Sequence, residues 1–181
     1  CANTYDTGSN ISFEQNIGLS DAGALTVSNG IYYELRDNNN PIVGLLPLHS
    51  KLLIYKTNSI SIGEINLSGG NSDPIIIQQD VVRNIGACSI CTVCNTGLKH
   101  IFFSGSNLYE TDGFNIQAIG DGNIQYIIKN MNKEYLHRCF AFILPEENLY
   151  CLMIPTGTSE YCNTCIVFNY ETRSWTFWTF K

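Results

Sequence analysis

Lys51-Leu52-Leu53-Ile54-Tyr55, a gap of two residues, then Asn58-Ser59-Ile60-Ser61-Ile62 is the stretch that decides the fold. An apolar run, a short break and an alternating apolar-polar run describe two strands joined by a tight turn. The phrase returns about 50 residues later as Lys99-His100-Ile101-Phe102-Phe103 followed by Ser106-Asn107-Leu108-Tyr109. It returns again at Asn148-Leu149-Tyr150-Cys151-Leu152, continuing after an insertion with Cys165-Ile166-Val167-Phe168 and Tyr170-Glu171. Gly30-Ile31-Tyr32-Tyr33-Glu34 reads as the outer part of an earlier copy.

Between these runs stand turn signals: Asn29-Gly30, Asp37 to Asn40 before Pro41, Gly69-Gly70, Asp112-Gly113, Asp121-Gly122 and Pro145 to Asn148. The firmest strands are Leu52 to Tyr55, Ile60 to Ile65, Ile75 to Ile77, Ile101 to Phe103, Leu149 to Ile154 and Ile166 to Tyr170. Helical spacing occurs in one place, Gln125 to Cys139, where Ile128, Met131, Tyr135 and Leu136 follow it although Asn130 and Asn132 are weak formers. A period near 50 built from strands alone, each unit unable to bury both of its faces, is the pattern of a β-propeller blade. The expected fold is therefore all-β, with blade-like repeats near 22–65, 75–121 and 140–181 in a single region. At roughly 45 to 50 residues per blade the chain supplies three to four, so the ring is four-bladed or incomplete. The opening residue, Cys1, favours a fragment or processed product and hence incompleteness.

Composition narrows the function classes. The chain has 181 residues, Lys+Arg 10 against Asp+Glu 16 and a net charge of −6, which disfavours a duplex-gripping protein because phosphate binding requires clustered cations. Aromatic residues at 12% and charged residues at 14% argue for a folded chain rather than a disordered one. The apolar runs Pro41 to Leu48 and Phe140 to Leu144 are too short to span a bilayer, and the first 20 residues hold no Lys or Arg, so neither a spanning segment nor a secretory signal is expected.

Eight cysteines are the densest chemical signal. Cys88, Cys91 and Cys94 are spaced by three, and Cys162 and Cys165 form a Cys-x-x-Cys pair, so both groups are candidate zinc ligands. Against that reading, the two groups lie much further apart than in a zinc ribbon, and on an extended strand Cys91 points away from Cys88 and Cys94. Free thiols packed as small hydrophobes are favoured over disulfides, and disulfides over metal. Cys151 and Cys165 are the best pair for proximity because they fall in one repeat. Catalysis has little support. His49, His100 and His137 belong to no catalytic phrase, His100 reads as a packed or hydrogen-bonded strand residue, and the adjacent Glu146 and Glu147 read as a solvated turn. No catalytic residue and no cofactor is expected. Asp37 and Asn39 fit the start of a calcium loop, but Pro41 and Ile42 stand where that loop needs a ligand and a glycine.

From Ser50 to Trp178 the chain resembles the β-propeller proteins of bacteriophage tails, the tail nozzle or tail tubular proteins of short-tailed phages. The phrases that carry the resemblance begin with Lys51-Leu52-Leu53-Ile54-Tyr55 and Asn84-Ile85-Gly86-Ala87. They continue with Ile101-Phe102-Phe103-Ser104, Leu108-Tyr109-Glu110-Thr111-Asp112-Gly113 and Pro145-Glu146-Glu147-Asn148-Leu149-Tyr150. The strongest is Val167-Phe168-Asn169-Tyr170-Glu171-Thr172-Arg173-Ser174-Trp175, which looks like a blade-closing hairpin.

The resemblance implies a non-enzymatic virion protein, assembled in a reducing bacterial cytoplasm. It would form part of a ring of sister copies, joined to other tail or portal-adaptor proteins, around a channel through which DNA leaves without specific binding. Asp37 to Pro41, Ser68 to Pro74 and Thr156 to Thr164 are the candidate contact loops. The rival reading is a propeller that binds host-surface carbohydrate through exposed aromatics near Tyr109, Tyr161 or Trp178. On a regular strand Trp175 and Phe177 face one way and Trp178 and Phe180 the other, as expected of a strand packed between two neighbours.

Overall fold

Successive antiparallel meanders organise the chain, in a computed structural model that describes residues 2–6, 11–18, 32–35, 40–65 and 75–180. The first sheet holds β1 (Ala2–Asp6), β2 (Ile11–Gly18) and β3 (Tyr32–Glu34), in that order. A four-stranded sheet follows, with β4 (Ile42–Leu48), β5 (Lys51–Lys56), β6 (Ser59–Ile65) and β7 (Ile75–Arg83). The next holds β8 (Cys94–Asn95), β9 (His100–Phe103), β10 (Leu108–Thr111) and β11 (Ile116–Ala118). The last holds β12 (Phe140–Leu144), β13 (Leu149–Ile154), β14 (Thr164–Asn169) and β15 (Ser174–Thr179). The protein is thus mostly β, with three open four-stranded antiparallel sheets among the described residues.

The near-continuous apolar runs of the central strands have a direct cause, which is burial on both faces. On β5, Leu53 and Tyr55 pack with Ile60, Ala87 and Phe102, while Ile54 on the opposite side packs with Ile17, Leu35 and Ile42. On β9 the alternation repeats, with Phe102 turned toward β5 and Ile101 and Phe103 toward Tyr150, Leu152, Ile166 and Phe168 of the last sheet. Each sheet therefore lies face to face with the next, and the core is a series of layers. Neighbouring sheets also meet at their first strands. β4 lies against β1 and against the 3-10 turn Ile90–Thr92 that leads into β8, and β12 lies against that turn and against β8.

Three sequence expectations need correction. The boundary placed at 75 falls inside a sheet, because Ile75–Arg83 pairs with β6 through Ile65↔Ile75, Glu64↔Ile76 and Gly63↔Ile77. The helix expected over Gln125 to Cys139 is instead α1 (Gly122–Lys129) followed by a separate 3-10 segment, Lys133–Arg138. Asp121 starts α1 by accepting from the Ile124 amide at 2.9 Å, so Asp121-Gly122 is a helix cap rather than a hairpin turn. The helix stops because Asn132 donates its backbone N–H to the Pro155 carbonyl and Met131 bridges Thr156, giving this backbone to the last sheet instead.

Asp112-Gly113 does form a turn, with Gly113 at φ +89° and the Asp112 carboxylate accepting from the Phe114 and Asn115 amides. Gly86 in the Asn84–Ala87 phrase has a steric reason, since a Cβ there would overlap the Lys56 carbonyl and the backbone of Thr57. Asn29-Gly30, Asp37 to Asn39, Gly69-Gly70 and the loop Ser68 to Pro74 lie outside the described residues.

Candidate functional sites

Charged residues are few; of those that are buried, Lys56 pairs with Asp80 within the β4–β7 sheet, whereas Glu110 ties one sheet to the next. Glu110 on β10 is 4% exposed and uses both carboxylate oxygens. Lys99, in the β8–β9 hairpin, donates to Oε1 at 2.9 Å, and Arg173, from the β14–β15 hairpin of the next sheet, donates to Oε2 at 2.6 Å. Arg173 reaches there because it takes a left-handed conformation, φ +60°, at the turn, and its guanidinium also lies over the Phe168 ring. Burial would by itself raise the Glu110 carboxyl, but the hydrogen bonds and charges of Arg173 and Lys99 outweigh it and hold the group below its ordinary value of 4.5.

Two clefts flank this carboxylate. One of about 230 Å³ is lined by Thr111, Asp112, Asn115 and Gln117, and one of about 170 Å³ by Thr96, Leu98, Ile101, Tyr170 and Arg173, with Lys99 and Glu110 on both. A carboxylate held ionised by a cation on each oxygen is a weak base. The two cations are already engaged by it. The arrangement suits a pin between sheets better than a catalytic centre.

A second pin joins the β4–β7 and β8–β11 sheets. His100 is fully buried, with Nε2–H donating to the Pro47 carbonyl at 3.1 Å and Nδ1 accepting from the Tyr55 hydroxyl at 2.9 Å. Burial lowers the His100 pKa, and burial raises that of Tyr55, so both are neutral. A third pin runs from the Tyr150 hydroxyl to the Thr92 carbonyl at 2.8 Å, tying β13 to the turn before β8. Sequence reading found His100 as a hydrogen-bonded strand residue but not its partners, and it did not single out the Lys99–Glu110–Arg173 triad. The available signal was a lone carboxylate inside the apolar phrase Leu108 to Thr111, in a chain with few charges.

The zinc candidates do not converge. Cys88, Cys91 and Cys94 are spread by the 3-10 turn, with Cys91 exposed, while Cys162 donates to the Arg138 and Met153 carbonyls and Cys165 is buried on β14. Among the described residues no three His, Cys, Asp or Glu side chains are gathered as a metal ion would require. Burial pushes Cys88 and Cys94 up to about 11 and Cys139 and Cys165 up to about 12, which keeps these thiols protonated and poor nucleophiles. Cys151 and Cys165 pack together with Val167, as their shared repeat suggested, and all seven described cysteines are free. His49 reaches the Leu98 carbonyl, His137 lies beside Tyr135, and Glu146 and Glu147 form an exposed 3-10 turn.

The aromatics expected of a carbohydrate site are scattered. Tyr109 stacks on Phe102 between sheets, and exposed Tyr161 lies by Arg138. Trp178 stands instead on the outer face of the last sheet. That face also carries Phe140, Phe142 and Leu144 on β12, and exposed Phe180 comes just after the end of β15. Beneath these rims Cys151, Cys165 and Val167 form a small buried cluster. None of the strands β12 to β15 contains a charged residue.

The chain matches no model of a known protein family and no curated protein. Among the described residues no helix is long and apolar enough to cross a membrane.

Proposed function

We propose that the chain is a non-enzymatic structural protein of a bacteriophage tail, its sheets being consecutive blades of a β-propeller that forms part of a ring of copies around the DNA exit channel. The observation that carries this reading is the stacking. Consecutive four-stranded meanders lie face to face, and contacts between neighbouring sheets include their first strands, the arrangement expected where strands converge on an axis. The work of such a protein is mechanical. The three pins fix one sheet against the next, and loops such as Thr156 to Thr164 are left to meet neighbouring copies and other tail or portal-adaptor proteins. A net charge of −6 suits a wall past which DNA slides without adhering.

The test is fractionation of a lysate from infected source cells. Antibody to this chain should follow the DNase-treated, density-banded virions and should label their tails in electron micrographs. Recovery only in the virion-free fraction would refute the assignment. The carbohydrate-binding alternative gains no support from the exposed aromatics, which share no polar groove with the clefts beside Glu110.

A further inference from the structure

We infer that Cys151, Met153 and Cys165, on the outer face of the β12–β15 sheet, form a binding site for a soft monovalent metal ion, Cu(I). Strand register brings the three sulfur side chains together. On β13, Cys151 and Met153 are two residues apart, so they share a face at a spacing of ~7 Å along the strand. Met153 stands directly opposite Cys165 of β14, with Cβ atoms ~5 Å apart, and Cys151, opposite Val167, is diagonal to Cys165. Cys151 is 0% and Cys165 1% exposed, Met153 packs against them, and each thiol has the other as its hydrogen-bond partner. The flexible methionine side chain spans the remaining distance.

The donor set selects the ion. Among the described residues no imidazole, carboxylate or third thiol completes the group. It therefore lacks the fourth ligand of a tetrahedral zinc site and the oxygens that calcium or magnesium requires. Two thiols and a thioether suit Cu(I). Phe142 lies opposite Cys151, Phe140 opposite Met153 and Trp178 opposite Cys165, so aromatic side chains flank the sulfurs, while half-buried Met153 leaves a way in. Binding replaces the two S–H protons by one Cu⁺ and releases both to solvent, with no change of oxidation state. Burial holds both thiols protonated, with Cys165 pushed up to about 12, so retention of the ion should tighten as pH rises. The charged side chain that acts on this pair is Glu147, and its sign favours a cation. Nothing in this inference depends on the tail assignment.

The probe is Cu(I) itself, offered anaerobically to the reduced 181-residue chain in the presence of bicinchoninate, whose coloured Cu(I) complex reports what the protein fails to take. About one equivalent should be withheld from the chelator, two thiols and a thioether making one soft-metal site. Met153→Leu keeps the volume and removes only the thioether. It should weaken retention at least about tenfold, a loss that even outer-shell partners of a metal produce. Cys165→Ala should abolish retention, whereas Cys91→Ser, at the exposed thiol of the 3-10 turn, should leave it unchanged. In a Trp175→Phe background the same equivalent should quench Trp178, which pairs with Cys165, a readout that alters none of the sulfurs. Failure to withhold Cu(I) overturns the inference. So does an equivalent whose retention Met153→Leu does not diminish, or which leaves Trp178 emission unaltered, since the ion then sits on other cysteines. Each of these failures leaves the virion fractionation result untouched.

Discussion

His100 is a neutral imidazole with a role at each nitrogen, donating to Pro47 and accepting from Tyr55, at a point where no water competes. Its folded pKa lies below the ordinary 6.5, so the unfolded chain takes up a proton at a higher pH than the folded one does. The contribution to stability is complete above 6.5 and is lost as pH falls from 6.5 toward the folded value. Urea midpoints measured from pH 7.5 to 5 should decline over the lower part of that range. Tyr55→Phe leaves the buried Nδ1 without a donor and should cost about 1 to 3 kcal/mol at pH 7.5. A midpoint unchanged by the substitution would show that the hydrogen bond does not fasten the two sheets. His100 was legible in the sequence as a packed strand residue, since it sits in an apolar run. Its partners were not, because Tyr55 and Pro47 lie 45 and 53 residues away and only the stacking of two sheets brings them together.

At the scale of elements, the β14–β15 hairpin shows how a turn read correctly can conceal its purpose. The phrase Val167 to Trp175 was legible as a hairpin, and it forms one, with the Asn169 side chain accepting from the Glu171 and Thr172 amides at its turn. That the turn exists to carry Arg173 across to Glu110 was not visible, because the target is on another sheet. Glu110→Gln removes the charge that both cations share. Since those cations are about half exposed, the expected loss is about 1 to 2 kcal/mol, read as a lower melting temperature at pH 7. The folded Glu110 pKa lies below 4.5, so the wild-type contribution is present above 4.5 and is lost as pH falls further. The Gln variant should therefore show a shallower decline in melting temperature below pH 4.5 than the wild type does. Parallel declines would mean that the pair contributes nothing. The strands β5, β9, β13 and β14 were legible because burial on both faces makes them continuous apolar runs. The helix at 125–139 and the boundary at 75 were misread because strand pairing, which spacing along the chain does not encode, took the backbone of Met131 and Asn132 and of Ile75 to Ile77.

For the whole molecule, the repeat of about 50 residues was the most informative single signal, since each copy corresponds to a hairpin within one four-stranded sheet. What the repeat could not disclose is how the sheets are disposed, and on that the proposed function depends. If the sheets are blades, their first strands must lie nearest a common axis and their last strands furthest from it. An experimental density map of the virion-borne protein, at a resolution that traces strands, measures this directly. The account predicts that the 42–83, 94–118 and 140–179 sheets are related by successive rotations about one axis, with β4, β8 and β12 innermost. Sheets joined edge to edge into one continuous layer, or packed as a two-layer sandwich with no common axis, would contradict it.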